Sequence, residues 1–102
     1  GLHWIAISVN YTSVFICDSL GYLQPGKKLH KELVKFLDML LCNRNVYMTT
    51  KLQSAKSSHS LAYCLLFITI MSTYNSFNYF ISLFTRDMSQ NDKLVRFLNK
   101  RI

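Results

Sequence analysis

The sequence predicts an α+β fold: a small mixed or antiparallel sheet with a central buried helix and flanking helices. Three observations carry that expectation. Two short runs rich in β-branched and aromatic residues open the chain, HWIAISV at 3–9 and VFICD at 14–18, across the short gap NYTS. Leu29, Leu33, Phe36, Leu37, Leu40 and Leu41 then recur at helical spacing. Finally, no charged residue falls between Ser60 and Thr85, and apolar residues occupy nearly every side of a helix drawn over 60–73, as expected of a core helix.

Taken in order, 3–9 and 14–18 read as a β-hairpin. Asn10-Tyr11 fits a two-residue turn, Asn tolerating a positive φ, and a four-residue loop fits equally. In either register His3 faces Asp18 or the residue two places on, so both lie on one face at one end of the hairpin. An acid placed there can orient an imidazole and stabilise its protonated form. The plainer alternative is a surface His3 and an Asp18 that only begins the turn Asp18-Ser19-Leu20-Gly21. GYLQPG at 21–26 is turn chemistry, and 27–42 reads as an amphipathic helix laid on the sheet, with Lys27, Lys28, Lys31, Glu32, Lys35 and Asp38 on its polar side and a solvated His30. Asn43 to Asn45 closes it, and VYMTT at 46–50 reads as a strand leading to Gln53. The polar residues from Ser72 to Asn78 suggest a turn, followed by a short apolar helix over 78–84. Ser89-Gln90-Asn91-Asp92 offers a cap for a last, basic helix with Leu94, Val95, Phe97 and Leu98 as its apolar stripe.

Composition narrows the classes. With 102 residues, 50% hydrophobic and 17% charged, the chain has the makings of one domain and not of a disordered segment. Its formal charge of +7 is spread over Lys27–Lys56 and Arg86–Arg101 without a dense run, the pattern of solvated helix faces more than of a nucleic-acid footprint. Cys17, Cys42 and Cys64 are odd in number and lack a Cys-x-x-Cys pair, which argues against a disulfide framework or a structural zinc site and for a reducing, intracellular compartment over secretion. No Gly-rich phosphate loop, internal repeat or cofactor motif is present. The uncharged stretch 60–85 is long enough to cross a bilayer, but Ser60, Thr69, Ser72, Thr73, Asn75, Ser76, Asn78 and Ser82 would be costly in lipid, so no membrane span is expected.

The segment Gln53 to Phe67, QSAKSSHSLAYCLLF, passes from a Ser-rich loop into the apolar helix. Side-chain oxygens at Ser57-Ser58-His59-Ser60 can cap the first free amides, and a helix start favours negative charge in front of it. In chain order the polar features are His3, Asp18, Gln53 and Ser60.

That order resembles the adenain family of cysteine proteases, of papain-like superfamily type, with its relatives the SUMO proteases and the proteases of Polinton/Maverick transposons. In that family a His-Trp opens a strand, an acid follows in the next, and a Gln precedes a helix-starting Cys by seven residues. Here the matching text is HWIAI, CDSLG and QSAKSSHSLAYCLLF, and DMSQNDKLVRFL resembles the Asn-Asp-containing tail of the transposon enzymes. The resemblance implies His3 as general base, Asp18 as the residue that orients it, Gln53 as an oxyanion donor and residue 60 as nucleophile. The family expects Cys-Gly where this chain has Ser60-Leu61, which implies weak or absent activity, because the serine alkoxide is far harder to reach than a thiolate. Cys64 falls on a second, structural cysteine. His59 reads as a capping or surface residue. The implied partner is a polypeptide substrate or a ubiquitin-like protein, with DNA on the basic helices as a further possibility, and no metal or other cofactor. Family members carry structure before the His, so the chain reads as an N-terminally truncated single domain over 1–102 whose open side a partner chain could cover. The alternative is a non-catalytic binding module on the same fold.

Overall fold

Strand β2 (Ser13–Cys17) forms the middle of the sheet, and four of its five residues are buried, as a strand covered on both faces requires. In the computed structural model, which describes residues 3–23, 31–55 and 57–101, β1 (Ala6–Val9) pairs with it antiparallel and β3 (Asn45–Met48) pairs parallel on its other side. Val9 faces Val14, so the hairpin uses the four-residue loop. Asn10 closes it: its N–H donates to Ser13 O at 3.0 Å, and its Oδ1 accepts from the N–H groups of Thr12 (3.0 Å) and Ser13 (2.8 Å). This side-chain turn needs no positive φ at Asn10.

A parallel neighbour requires a crossover, and α1 (Lys31–Leu41) provides it. Leu33, Leu37, Leu40 and Leu41 pack on Ile7, Val14, Ile16 and Met48, so the expected amphipathic helix lies on one face of the sheet. The expected first turn of that helix, His30 and the second half of the GYLQPG turn lie outside the described residues.

Strand alternation sends Phe15 and Cys17 to the opposite face, where α2 (Ser60–Tyr74), α3 (Phe77–Ser82) and α4 (Met88–Asn99) build the larger core around Tyr63, Cys64, Phe67, Ile70, Phe80 and Val95. The result is an α+β fold in three layers: α1, a three-stranded mixed sheet, and a group of three helices. The turn expected near 72–78 is Asn75-Ser76. Asn75 takes the left-handed conformation (φ 49°) and returns its N–H to Met71 O at 3.0 Å, and Ser76 Oγ then accepts Tyr79 N at 3.0 Å to start α3. At 15 residues α2 is short, and among the described residues no helix is long and apolar enough to cross a membrane.

Two expectations are corrected. The α2 helix is not enclosed on every side: Leu61, Leu65 and Ile68 form an exposed stripe, because the sheet, α3 and α4 cover only its remaining circumference. The cap of α4 is Asp87 and not the Ser89–Asp92 run; its carboxylate accepts Gln90 N at 3.2 Å. Asn91 and Asp92 therefore lie inside the helix and face the core.

Candidate active site

Asp18 is where β2 ends, and four hydrogen bonds fix it. Its N–H donates to Thr49 Oγ1 at 2.8 Å, and its carbonyl accepts Gly21 N at 3.0 Å in a turn that puts Gly21 at φ 71°, where a Cβ would clash. Its Oδ2 accepts Leu23 N at 2.6 Å, and its Oδ1 lies 2.8 Å from His3 Nε2. Asp18 thus both begins the turn and contacts His3. Extending the hairpin register puts His3 opposite Leu20, so Asp18 is its diagonal neighbour.

Asp18 is fully buried and the His3 side chain is 15% exposed. A carboxylate only accepts, so in the neutral imidazole the His3 proton is on Nε2 and the lone pair on Nδ1. That Nδ1 is buried and has no hydrogen-bond partner among the described residues. The ring of Tyr22 packs against the imidazole, with centroids 4.6 Å apart.

Ser60, the first residue of α2, is brought to the same place by the next residue of the chain: the Trp4 N–H donates to Ser60 Oγ at 3.1 Å. Consecutive residues, His3 and Trp4, thereby touch Asp18 and Ser60. His3 and Ser60 are not hydrogen-bonded to each other. The hydroxyl accepts from Trp4, and among the described residues its own proton has no acceptor.

Gln53 is fully buried between the residue after Asp18 and the loop before α2. Its Oε1 accepts from Ser19 Oγ at 2.6 Å, its backbone N–H donates to Ser19 O at 3.0 Å, and its Nε2 donates to Ser57 O at 2.9 Å. The amide is pinned in the site, with its donor turned toward the loop.

The serines before α2 do not cap it. His59 holds the cap position without a side-chain bond to the helix, while Ser57 Oγ accepts His59 N–H at 3.1 Å and pairs closely with His59 Nδ1. The oxygens stabilise the loop, and the helix start is left without a side-chain cap.

Cys64 sits one turn into α2 and is 3% exposed, with Cys17 at 0% beside it. The hydrogen bond between the two thiols raises the Cys17 pKa far above the ordinary thiol range and lowers that of Cys64, as when one thiol donates to the other, and burial favours the neutral form of both. Both read as core residues; Cys42 is exposed. Among the described residues no group of His, Cys, Asp and Glu could hold a metal ion.

Several supports were not anticipated from the sequence. Thr49, Ser19 and Tyr22 reach the site from loops that carry no periodic signal. Asn91 Nδ2 donates to Leu52 O at 3.0 Å and to Thr85 O at 2.8 Å, and its Oδ1 accepts Thr85 N at 2.9 Å, so α4 braces the residue just before Gln53. The Tyr63 hydroxyl donates to Asp92 Oδ1 at 2.7 Å. Asn91 is in phase with Val95 and Leu98, a polar residue on the apolar stripe, and that phase was the available signal.

The geometry is that of an α+β fold in which His3 contacts a buried Asp18 and the next residue, Trp4, contacts Ser60 at a helix start. Comparison with protein-family models, with curated proteins and with solved structures finds no match.

Proposed function

We propose that the chain is a homologue of the adenain-like cysteine proteases, on their papain-like fold type, with Ser60 in the nucleophile position and a polypeptide or ubiquitin-like protein as its substrate class. The observation that carries this reading is the 2.8 Å contact of His3 with buried Asp18, which leaves the buried Nδ1 without a partner among the described residues, while the next residue, Trp4, contacts the Ser60 hydroxyl. In acyl transfer, Ser60 Oγ attacks the scissile carbonyl while His3 Nδ1 takes its proton, and Asp18 holds the ring in the required tautomer. The tetrahedral oxyanion is met by the residue-60 amide, with Gln53 Nε2 as second donor once it turns from Ser57. His3 then returns the proton to the leaving amine. Attack by a hydroxyl in a site arranged for sulfur gives a slow enzyme.

A Ser60→Cys change tests the inherited arrangement, made in a Cys42→Ser background because Cys42 is the exposed thiol. Iodoacetamide should label Cys at position 60 at least about tenfold faster than it labels buried Cys17 and Cys64, and His3→Ala should remove most of that advantage. Labelling that is indifferent to His3 would overturn the reading.

A binding role without catalysis is favoured by one observation: Ser60 is 3% exposed and already holds the Trp4 N–H, as a structural peg does. Under that reading the same labelling experiment gives no His3 dependence, and the chain holds a peptide, ubiquitin-like protein or DNA without cutting it.

A further inference from the structure

A concave site lies at the other end of α2, about 22 Å along the helix from Ser60 at 1.5 Å per residue. It is a cavity of about 330 Å³, walled by Phe15 of β2, Tyr47 of β3 and Phe77 of α3, with Asn75 and Asn78 at its polar side. That volume is at the lower end of small-molecule sites and suits one or two fused rings. The three rings come from three different elements. Phe15 and Tyr47 stack at 5.2 Å with their planes 17° apart, while Phe77 lies 5.5 Å from Phe15 and 6.5 Å from Tyr47.

Two features of the lining select the ligand. Among the described residues no charged side chain lines the cavity, so none of them would compensate a carboxylate or phosphate for lost hydration. Tyr47 lines the cavity and is 46% exposed, so part of its ring surface beyond the Phe15 stack is available for contact with an incoming planar group. Around that platform the amides of Asn75 and Asn78 each offer a donor and an acceptor, which can read the polar edge of a ring but have nothing to pair with on an aliphatic one.

We propose that this cavity binds a neutral planar heteroaromatic ring of purine or indole size, lying against Tyr47 with its polar edge toward Asn75 and Asn78. The site is independent of the chemistry at Ser60: it uses none of His3, Asp18, Gln53 or Ser60.

Adenine, N-acetyl-tryptophanamide and cyclohexanecarboxamide are titrated into the whole chain and followed by amide NMR shifts. The first two probes separate a free heterocycle from the same ring chemistry carried on a peptide backbone; the third has a polar amide but no flat ring. Saturable shifts confined to Ser13, Phe15, Tyr47 and the 75–78 turn, with either aromatic probe, support the proposal. Tyr47→Ala should weaken the better probe about tenfold and Asn78→Ala severalfold, while Tyr47→Phe should bind nearly as the parent does. Because Asn78 is exposed on α3, its variant reports on binding even if loss of the Tyr47 ring disturbs the sheet. Equal binding of cyclohexanecarboxamide, or no saturable shift at millimolar aromatic probe, overturns the proposal.

Discussion

Replacing Asp18 by Asn is the sharpest test of whether the His3 contact is a working unit or an incidental one. Asn keeps the volume and can still accept Leu23 N, now 2.6 Å from Oδ2, so the turn is disturbed little. What it loses is a charged acceptor 2.8 Å from His3 Nε2, at a position with no exposure to water. A hydrogen bond to a charged group contributes about 1.5–3 kcal/mol, and with Asp18 buried and His3 partly so about 2 kcal/mol is expected here. For a domain of this size that corresponds to a fall in Tm of about 10 °C. Asp18→Asn, His3→Ala and the double variant are compared by thermal and urea unfolding. A coupling energy of at least about 1 kcal/mol is expected; if the single effects add to within about 0.5 kcal/mol, the pair is not a unit and the site loses its orienting acid.

Two further outcomes follow from the bracing of the site by α4. Asn91→Ala removes four hydrogen bonds, one of them long at 3.5 Å, at a position 2% exposed and should lower stability by about 3 kcal/mol, read as a lower urea midpoint at unchanged slope. The Tyr63 hydroxyl is pushed far above its usual pKa by burial and then by its hydrogen bond to Asp92, so it stays neutral in the folded chain while the unfolded chain ionises near pH 10. The folded state then binds more protons, and stability falls as pH rises above 10, by about 1.4 kcal/mol at pH 11. Tyr63→Phe should abolish that share of the alkaline loss, yet lower stability at neutral pH by about 1–3 kcal/mol by leaving Asp92 without its donor.

What is legible in the sequence is what a short period encodes. The two-residue repeat of a strand is enough to put His3 and Asp18 on one face, and the spacing of Leu33, Leu37, Leu40 and Leu41 defines the side of α1 that meets the sheet. Where a period is absent, reasoning from sequence fails in identifiable ways. Because α2 is apolar all round, its sequence does not reveal that Leu61, Leu65 and Ile68 are the face left open. The Ser89–Asp92 run looks like a cap because Ser, Asn and Asp are all good at it, but Asp87 stands earlier and takes Gln90 N, which turns Asn91 and Asp92 into the core. Thr49, Ser19 and Tyr22 reach the site through loop crossings that only the tertiary fold creates.

The arrangement at Ser60 turns on what each atom has left to offer. A serine oxygen can accept twice and donate once. Trp4 N–H takes one acceptor position, so the peg between the start of the chain and α2 does not use the hydroxyl proton. On the other side, the Asp18 carboxylate forces the proton of His3 onto Nε2 and leaves Nδ1 as an acceptor with no partner among the described residues. The unused donor and the unused acceptor are complementary and are held by adjacent residues of one segment. A peg alone would have no need of a buried imidazole with a bare lone pair, since an unpartnered buried acceptor is a cost that folding ordinarily avoids. That pairing of leftovers is why the protease reading is preferred to a purely structural Ser60. It also locates the weakness of the reading, because the proton to be moved belongs to an alcohol and not to a thiol.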